Sequence, residues 1–340
     1  METKEVLKTL SNSFGVSSYE KNTFKVIKDI LSKEFEKIKF ETVGTDNLLV
    51  KFGTGKKKIA FFAHTDEIGV VISKIENEHF ARISSIGGVD PRTLVAKRIT
   101  FFKNGKETIG VVGMLAPHLQ NAKTKKISPS FDELFIDFSI SGGTKNISVG
   151  DVGSIEVEAM ELNEKYITGK AIDNRAGVTT IIKALEYLQY YNFDGELYLS
   201  FNKGEEVGLV GAKGAAHYIK PDVAIIVDVT FGNDTIPGYE TMKINEGPAI
   251  LIGAAVHKKT YQKLVDIADE NNIKYQIEVA PSRSGTETDI VQITNGGVAT
   301  ALLSVPILNM HSPVEVVSIN DIEATAKLMA IFAAKEGRCK

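Results

Sequence analysis

The chain has 340 residues, enough for one large or two moderate domains with a sizeable core. Its 40 basic and 43 acidic residues leave a formal net charge of −3, so nothing in the balance draws it to nucleic acid or to an anionic membrane. The single cysteine, Cys339, leaves no intrachain disulfide and fits a reducing, cytoplasmic setting; the sequence shows neither a signal-peptide core nor a run of about 20 apolar residues able to span a bilayer.

The opening METKEVLKTL is an amphipathic start. Ser17, with Glu20 three residues later, has the spacing of a capping box, and Phe24, Ile27, Leu31 and Phe35 then recur at helical intervals, which predicts an early helix. NLLVKFG (47–53) and KKIAFFAH (57–64) read as strands joined through Thr54-Gly55-Lys56 as a hairpin. The second is apolar on both faces, the pattern of a central strand covered by helices on each side. From Val70 to Glu161 short runs such as GVVISKI and RITFF alternate with Gly, Asn and Pro, and a compact all-β unit is expected. Beyond it, Val178, Ile181, Ile182, Leu185 and Leu188 form one helical stripe. Strand 195–202, helix 208–219 and strand 223–230 follow, then a helix near 257–272, strands near 274–279 and 299–304, and a last helix from about 319 that Ser318 or Asn320 would cap. The expected fold is α/β, a mixed sheet with helices on both faces, interrupted by an inserted β domain: residues 1–69 and 162–340 form one domain and 70–161 the insertion.

The residues able to do chemistry fall at strand ends and turns. His64 and Asp66 close an apolar strand, two apart and therefore on the same face of an extended chain. Asp173 stands before a strong helix, where a simple N-cap would also explain it. Glu205 and Glu206 follow strand 195–202, a place that suits a solvated acidic loop equally well. Asp228 interrupts the apolar run Val223–Val229, and a buried carboxylate there needs a partner. His311 follows a late strand and a short loop. In open α/β sheets such positions converge at the carboxyl edge. Two divalent ions would balance three carboxylates and one hydroxide, and a mixed imidazole and carboxylate set suits zinc first, with cobalt or manganese as alternatives. Two such ions activate a water and polarise a carbonyl, and Glu205 is placed to carry the proton as general acid/base.

The ordered motifs FGVSSYE (14–20), HTDEIG (64–69), GGVDPR (87–92), GKAIDNRAG (169–177), GEEVGLVGA (204–212), DVT (228–230) and MHSPVEV (310–316) resemble those of the M42 family of metallo-aminopeptidases, the tetrahedral and glutamyl aminopeptidase group, over nearly the whole chain. The resemblance implies two divalent metal ions per chain, one held by His64, Asp173 and Asp228 and the other by Asp173, Glu206 and His311, so that Asp173 bridges. It implies that Asp66 orients His64 and that Glu205 is the general acid/base. It further implies a PDZ-like inserted domain, assembly of dimers into dodecamers, and peptide substrates with a free N-terminus. Gly204 and Val210 depart from the family's frequent glutamine and arginine, and PSRSGTETD (281–289) from its glycine-rich segment. That segment places Arg283 as a substrate-binding residue whose guanidinium would favour acidic first side chains. Two other readings compete. Asp66 and Glu205 would be the carboxylate pair of an endoglucanase-like glycoside hydrolase, which leaves the histidines without a task; or the ligands would serve a catalytically silent metal-binding assembly protein, which leaves Glu205 without one.

Overall fold

The computed structural model describes residues 1–338 other than 37, 104, 115–116, 121–127, 234–235 and 239; Cys339 lies outside them. Strand Lys58–His64 is buried from its second residue onward and runs through the middle of an 11-stranded mixed sheet. Its alternation divides two cores. Ile59, Phe61 and Ala63 pack on one face with Ile181, Leu185, Leu328 and Phe332 of helices Ile172–Leu188 and Ile319–Glu336. Ala60 and Phe62 pack on the other with Ala212, Ala216 and Ile219 of helix Val210–Ile219. A strand apolar on both faces thus sits where helices cover both faces, as its composition requires.

Four neighbouring strands, Glu196–Asn202, Lys58–His64, Val223–Phe231 and Ala299–Leu308, run parallel and finish at one edge. Antiparallel strands extend the sheet on either side: Asn47–Phe52 and Lys39–Val43 beyond the first, and Glu315–Ser318, Tyr166–Gly169 and Met160–Asn163 beyond the last.

The hairpin expected between strands 47–53 and 57–64 does not form. Strand Glu196–Asn202, buried at every position, lies between them, antiparallel to the first through Leu199 and Val50 and parallel to the second through Leu199 and Phe61. Gly55 serves the crossing over this strand, since a Cβ there would lie 1.8 Å from the Asp194 carbonyl oxygen. The proposed caps also differ. Helix Lys21–Glu34 begins without a side-chain cap, and Ser17 donates instead to Asp66. Ser318 precedes the last helix without capping it; both Ser318 and Asn320 donate to the Asn245 side chain.

Strands Gly69–Ile75, Phe80–Ile86, Ile136–Asp137, Lys106–Val112, Arg98–Lys103 and Val152–Ile155 close, in that order around the ring, into a barrel with its own core of Val70, Ile72, Ile99, Phe101 and Phe138. Glu67 ties this barrel to the main sheet. One of its carboxylate oxygens accepts from Lys170 Nζ at 2.6 Å and Ser154 Oγ at 2.9 Å, and the other accepts from the Gly15 amide. No helix among the described residues is long and apolar enough to cross a membrane.

Candidate metal centre

His64 ends its strand, Glu205 and Glu206 follow strand Glu196–Asn202, Asp228 lies within strand Val223–Phe231 and His311 follows strand Ala299–Leu308. Because these four strands are parallel neighbours, their carboxyl ends meet at one edge, where open α/β sheets bind ligands. Asp173 reaches the same point from the start of helix Ile172–Leu188, where its backbone is not helical.

The donor atoms form two linked groups. His64 Nε2 lies 3.1 Å from Asp173 Oδ1 and 3.7 Å from Asp228 Oδ1. His311 Nε2 lies 3.3 Å from Asp173 Oδ2 and 3.6 Å from Glu206 Oε1. Two donors at about 2.1 Å from a tetrahedral ion stand about 3.4 Å apart, so this spacing suits a cation in each group. Asp173 is common to both and turns one oxygen to each histidine. Glu205 stands at the edge of the first group, 4.0 Å from His64 Nε2, and with His64 and Glu206 offers a third possible set of donors.

The electrostatics ask for positive charge. Burial, reinforced by Asp173 and opposed by His64, pushes Glu205 up to about 8 and Glu206 up to about 10. Burial foremost drives Asp228 well above the carboxylate range. On His64 burial acts downward, but the negative field of Glu205, Asp173, Asp66 and Asp228 outweighs it and raises the imidazole. Burial likewise works against Asp173, yet bonds from His311 and His64 hold it below its ordinary range. Among the described residues no lysine or arginine forms an ion pair with any of the five donors. Cations of the solvent would complete what the chain itself does not neutralise.

Several neighbours hold the donors in place. Asp66 is wholly buried, and its Oδ1 lies 3.4 Å from His64 Nδ1. The same carboxylate accepts from the Glu205 amide at 3.0 Å, the Glu206 amide at 3.2 Å and Ser17 Oγ at 2.7 Å. Glu315, which sequence reasoning passed over, accepts from the His311 amide at 2.8 Å and the Asp173 amide at 3.1 Å, joining two donors through their backbones. Its signal was present as an acid between Val314 and Val316. Gly88, from the barrel, lies against the His311 ring, where a Cβ would come 2.7 Å from Nδ1. Glu287 is a second buried acid missed in the sequence; it accepts from Asn202 Nδ2 at 2.9 Å, and burial pushes it up to about 8.

A cleft of about 1020 Å³ opens onto the donors and is walled by Leu209, Thr230, Phe231, Glu278, Arg283 and Met310 among others. Arg283 is exposed in this wall, with no hydrogen bond or ion pair to any described residue. Asp66 stands behind the donors and takes no part in the wall.

Residues 46–328 match the model of the M42 glutamyl aminopeptidase family. The lysyl aminopeptidase of Pyrococcus furiosus is 33% identical over 333 residues, covering 95% of this chain and 94% of its own length. Among solved structures, the aminopeptidase APDkam598 from Desulfurococcus kamchatkensis is 33% identical with a TM-score of 0.87, covering 98% of this chain and 94% of its own. The TET1 peptidase of Pyrococcus horikoshii, which can assemble into a tetrahedron or a large octahedral shell, is 29% identical with a TM-score of 0.83, covering 98% of each chain.

Proposed function

Since the chain belongs to the M42 glutamyl aminopeptidase family and is a peptide hydrolase, we propose that it is a two-metal aminopeptidase that releases the first residue of peptides with a free N-terminus. The observation that carries this reading is the placement of Asp173, which turns one oxygen toward each histidine and so belongs to both donor groups. His64, Asp173 and Asp228 would hold one divalent ion and Asp173, Glu206 and His311 the other, zinc first, with cobalt or manganese as alternatives. Bound there, the ions would supply an activated water and polarise the scissile carbonyl.

The protein's own part is positional. Asp66 fixes His64 through Nδ1, leaving Nε2 toward the donors, and holds the backbone of Glu205 and Glu206. Glu205, on the cleft wall beside both groups, takes the proton from the attacking water and returns it to the leaving amine. Arg283 contacts the substrate from the exposed wall. Residues 1–69 and 162–340 make up the catalytic domain. Residues 70–161, which carry the barrel apart from Gly69, serve as a PDZ-like assembly domain that pairs chains into dimers, and the dimers build a dodecamer in the cytoplasm. The glycosidase reading loses support because Asp66 is buried behind the donors, its oxygens already occupied by three hydrogen bonds.

Chelator treatment of the purified protein is expected to abolish amino-acid release from peptides, and added zinc, cobalt or manganese to restore it. Glu205→Gln is expected to retain the metal while turnover falls by about 100-fold or more. Near-normal turnover in the metal-loaded variant would remove Glu205 from its role. Polysaccharide cleavage insensitive to chelator would establish the glycosidase instead, and tight metal binding without hydrolysis of either substrate would leave the assembly protein.

A further inference from the structure

Apart from the donors and Glu205, three charged side chains stand in the cleft wall, Arg283, Glu278 and the exposed Glu240. They differ in how firmly they are placed. Arg283 is exposed and unanchored among the described residues, whereas Glu278 comes from strand Gln276–Ala280 and its Oε1 accepts from Thr230 Oγ1 at 2.6 Å. Its Oε2 is shut off from solvent and has no hydrogen-bond partner among the described residues. A carboxylate oxygen with neither water nor a donor is unfavourable, and a cation brought within reach relieves it.

The distance from the donors decides which cation. Thr230 follows the donor Asp228 by two residues on the same strand, so both project to the same face about 7 Å apart along it. The Glu278 carboxylate lies one hydrogen bond from Thr230 and belongs to none of the donor groups. If the scissile carbonyl sits at the donors, the α-ammonium of the first residue, one bond from its α-carbon, stays close to them and falls short of Glu278. A lysine ammonium at the end of its four-carbon stem, or an arginine guanidinium, covers that distance.

We propose that Glu278, held by Thr230, is a specificity-determining residue that selects a cationic first side chain, lysine or arginine. This rests on the aminopeptidase reading above, and it assigns the first side chain to Glu278 and leaves Arg283 to residues further along the peptide.

The test compares kcat/KM of the metal-loaded enzyme on aminoacyl p-nitroanilides of lysine, arginine, leucine and glutamate for wild type, Glu278→Gln, Thr230→Val and Arg283→Ala. The expected wild-type profile is led by lysine or arginine. Glu278→Gln lowers those two by about 10- to 100-fold, as loss of a charged hydrogen-bond partner does, while leucine stays within about 3-fold. Thr230→Val gives a smaller loss of the same selectivity. Equal loss on all four substrates would overturn the proposal in favour of α-ammonium binding, and a glutamate-led profile abolished by Arg283→Ala would overturn it in favour of Arg283. A leucine-led profile indifferent to Glu278→Gln would also end it. A parallel measurement separates this proposal from the activity on which it rests: lysinamide is expected to bind wild type more tightly than norleucinamide and to lose that advantage in Glu278→Gln. Were all four anilides inert, that difference would uphold the cation site while the aminopeptidase reading fell, and its absence would end both.

Discussion

Replacing Asp66 with asparagine keeps the shape of a wholly buried side chain and changes only its hydrogen bonding, so the consequences can be followed atom by atom. Oδ1 accepts from the Glu205 amide and faces His64 Nδ1, and Oδ2 accepts from Ser17 Oγ and the Glu206 amide. An amide NH2 in the first position confronts the Glu205 N–H and removes the carboxylate acceptor facing His64, whose Nδ1 keeps the Asp66 backbone oxygen at 3.2 Å. In the second position Ser17 turns to accept, and only the Glu206 N–H is left without a partner. The second orientation is therefore preferred, and one orphaned buried donor costs about 1–3 kcal/mol. The charge facing His64 is lost as well, and loss of such a supporting carboxylate typically lowers metal affinity or activity by about 10- to 100-fold. Burial pushes Asp66 up, but bonds from His64, Ser17 and the Glu205 amide outweigh it and hold the carboxyl below its ordinary 3.8. Its stabilising contribution is thus complete above that pH and is lost as pH falls through the folded-state value, and the gap between wild type and Asp66→Asn is expected to close only in acid. Chelator competition gives the metal affinity, and denaturant unfolding of the metal-free protein gives the stability cost. Unchanged values in both would show that these bonds do not hold the site together, and a gap that closes near neutral pH would refute the assignment of the charge.

Asp173→Ala is expected to lose both ions, because its two oxygens face the two histidines separately; metal analysis that still finds two tightly bound ions per chain would overturn the donor assignment. Light scattering is expected to show a homo-oligomer of dodecamer mass, and a fully active monomer at micromolar concentration would refute the proposed assembly.

The parts of the fold legible in the sequence are those whose cause is local. Strand 58–64 announces a central position because both of its faces are apolar, and it lies between strands of the parallel core. Strand order is another matter. Asn47–Phe52 and Lys58–His64 are separated by a strand almost 150 residues further on, and nothing in Thr54-Gly55-Lys56 tells a hairpin turn from a crossing. Ser17 was misleading for a similar reason: its distance from Glu20 is that of a capping box, but its hydroxyl is taken by Asp66, 49 residues away. A cap and a tertiary anchor have the same appearance until the second partner is known.

The buried acids show where legibility ends. Asp228, Glu315 and Asp321 each stand beside apolar residues, and each therefore signals a donor set somewhere in the fold. Their sets differ in kind. Asp321 accepts from the amides of Asn245 and Gly247, which pins a loop to the start of the last helix. Glu315 accepts from the amides of His311 and Asp173, one backbone donor for each oxygen. Among the described residues Asp228 accepts only from the amide of its own neighbour, Val229, while its side chain lies within reach of His64. Two oxygens matched by two amides are satisfied within the chain; one oxygen matched by an adjacent amide, facing an imidazole among other carboxylates, is not. The apolar context reveals that a carboxylate needs partners, and only the donors that the fold brings to it, amides for Glu315 and Asp321, separate an anchor for the fold from a ligand for an ion.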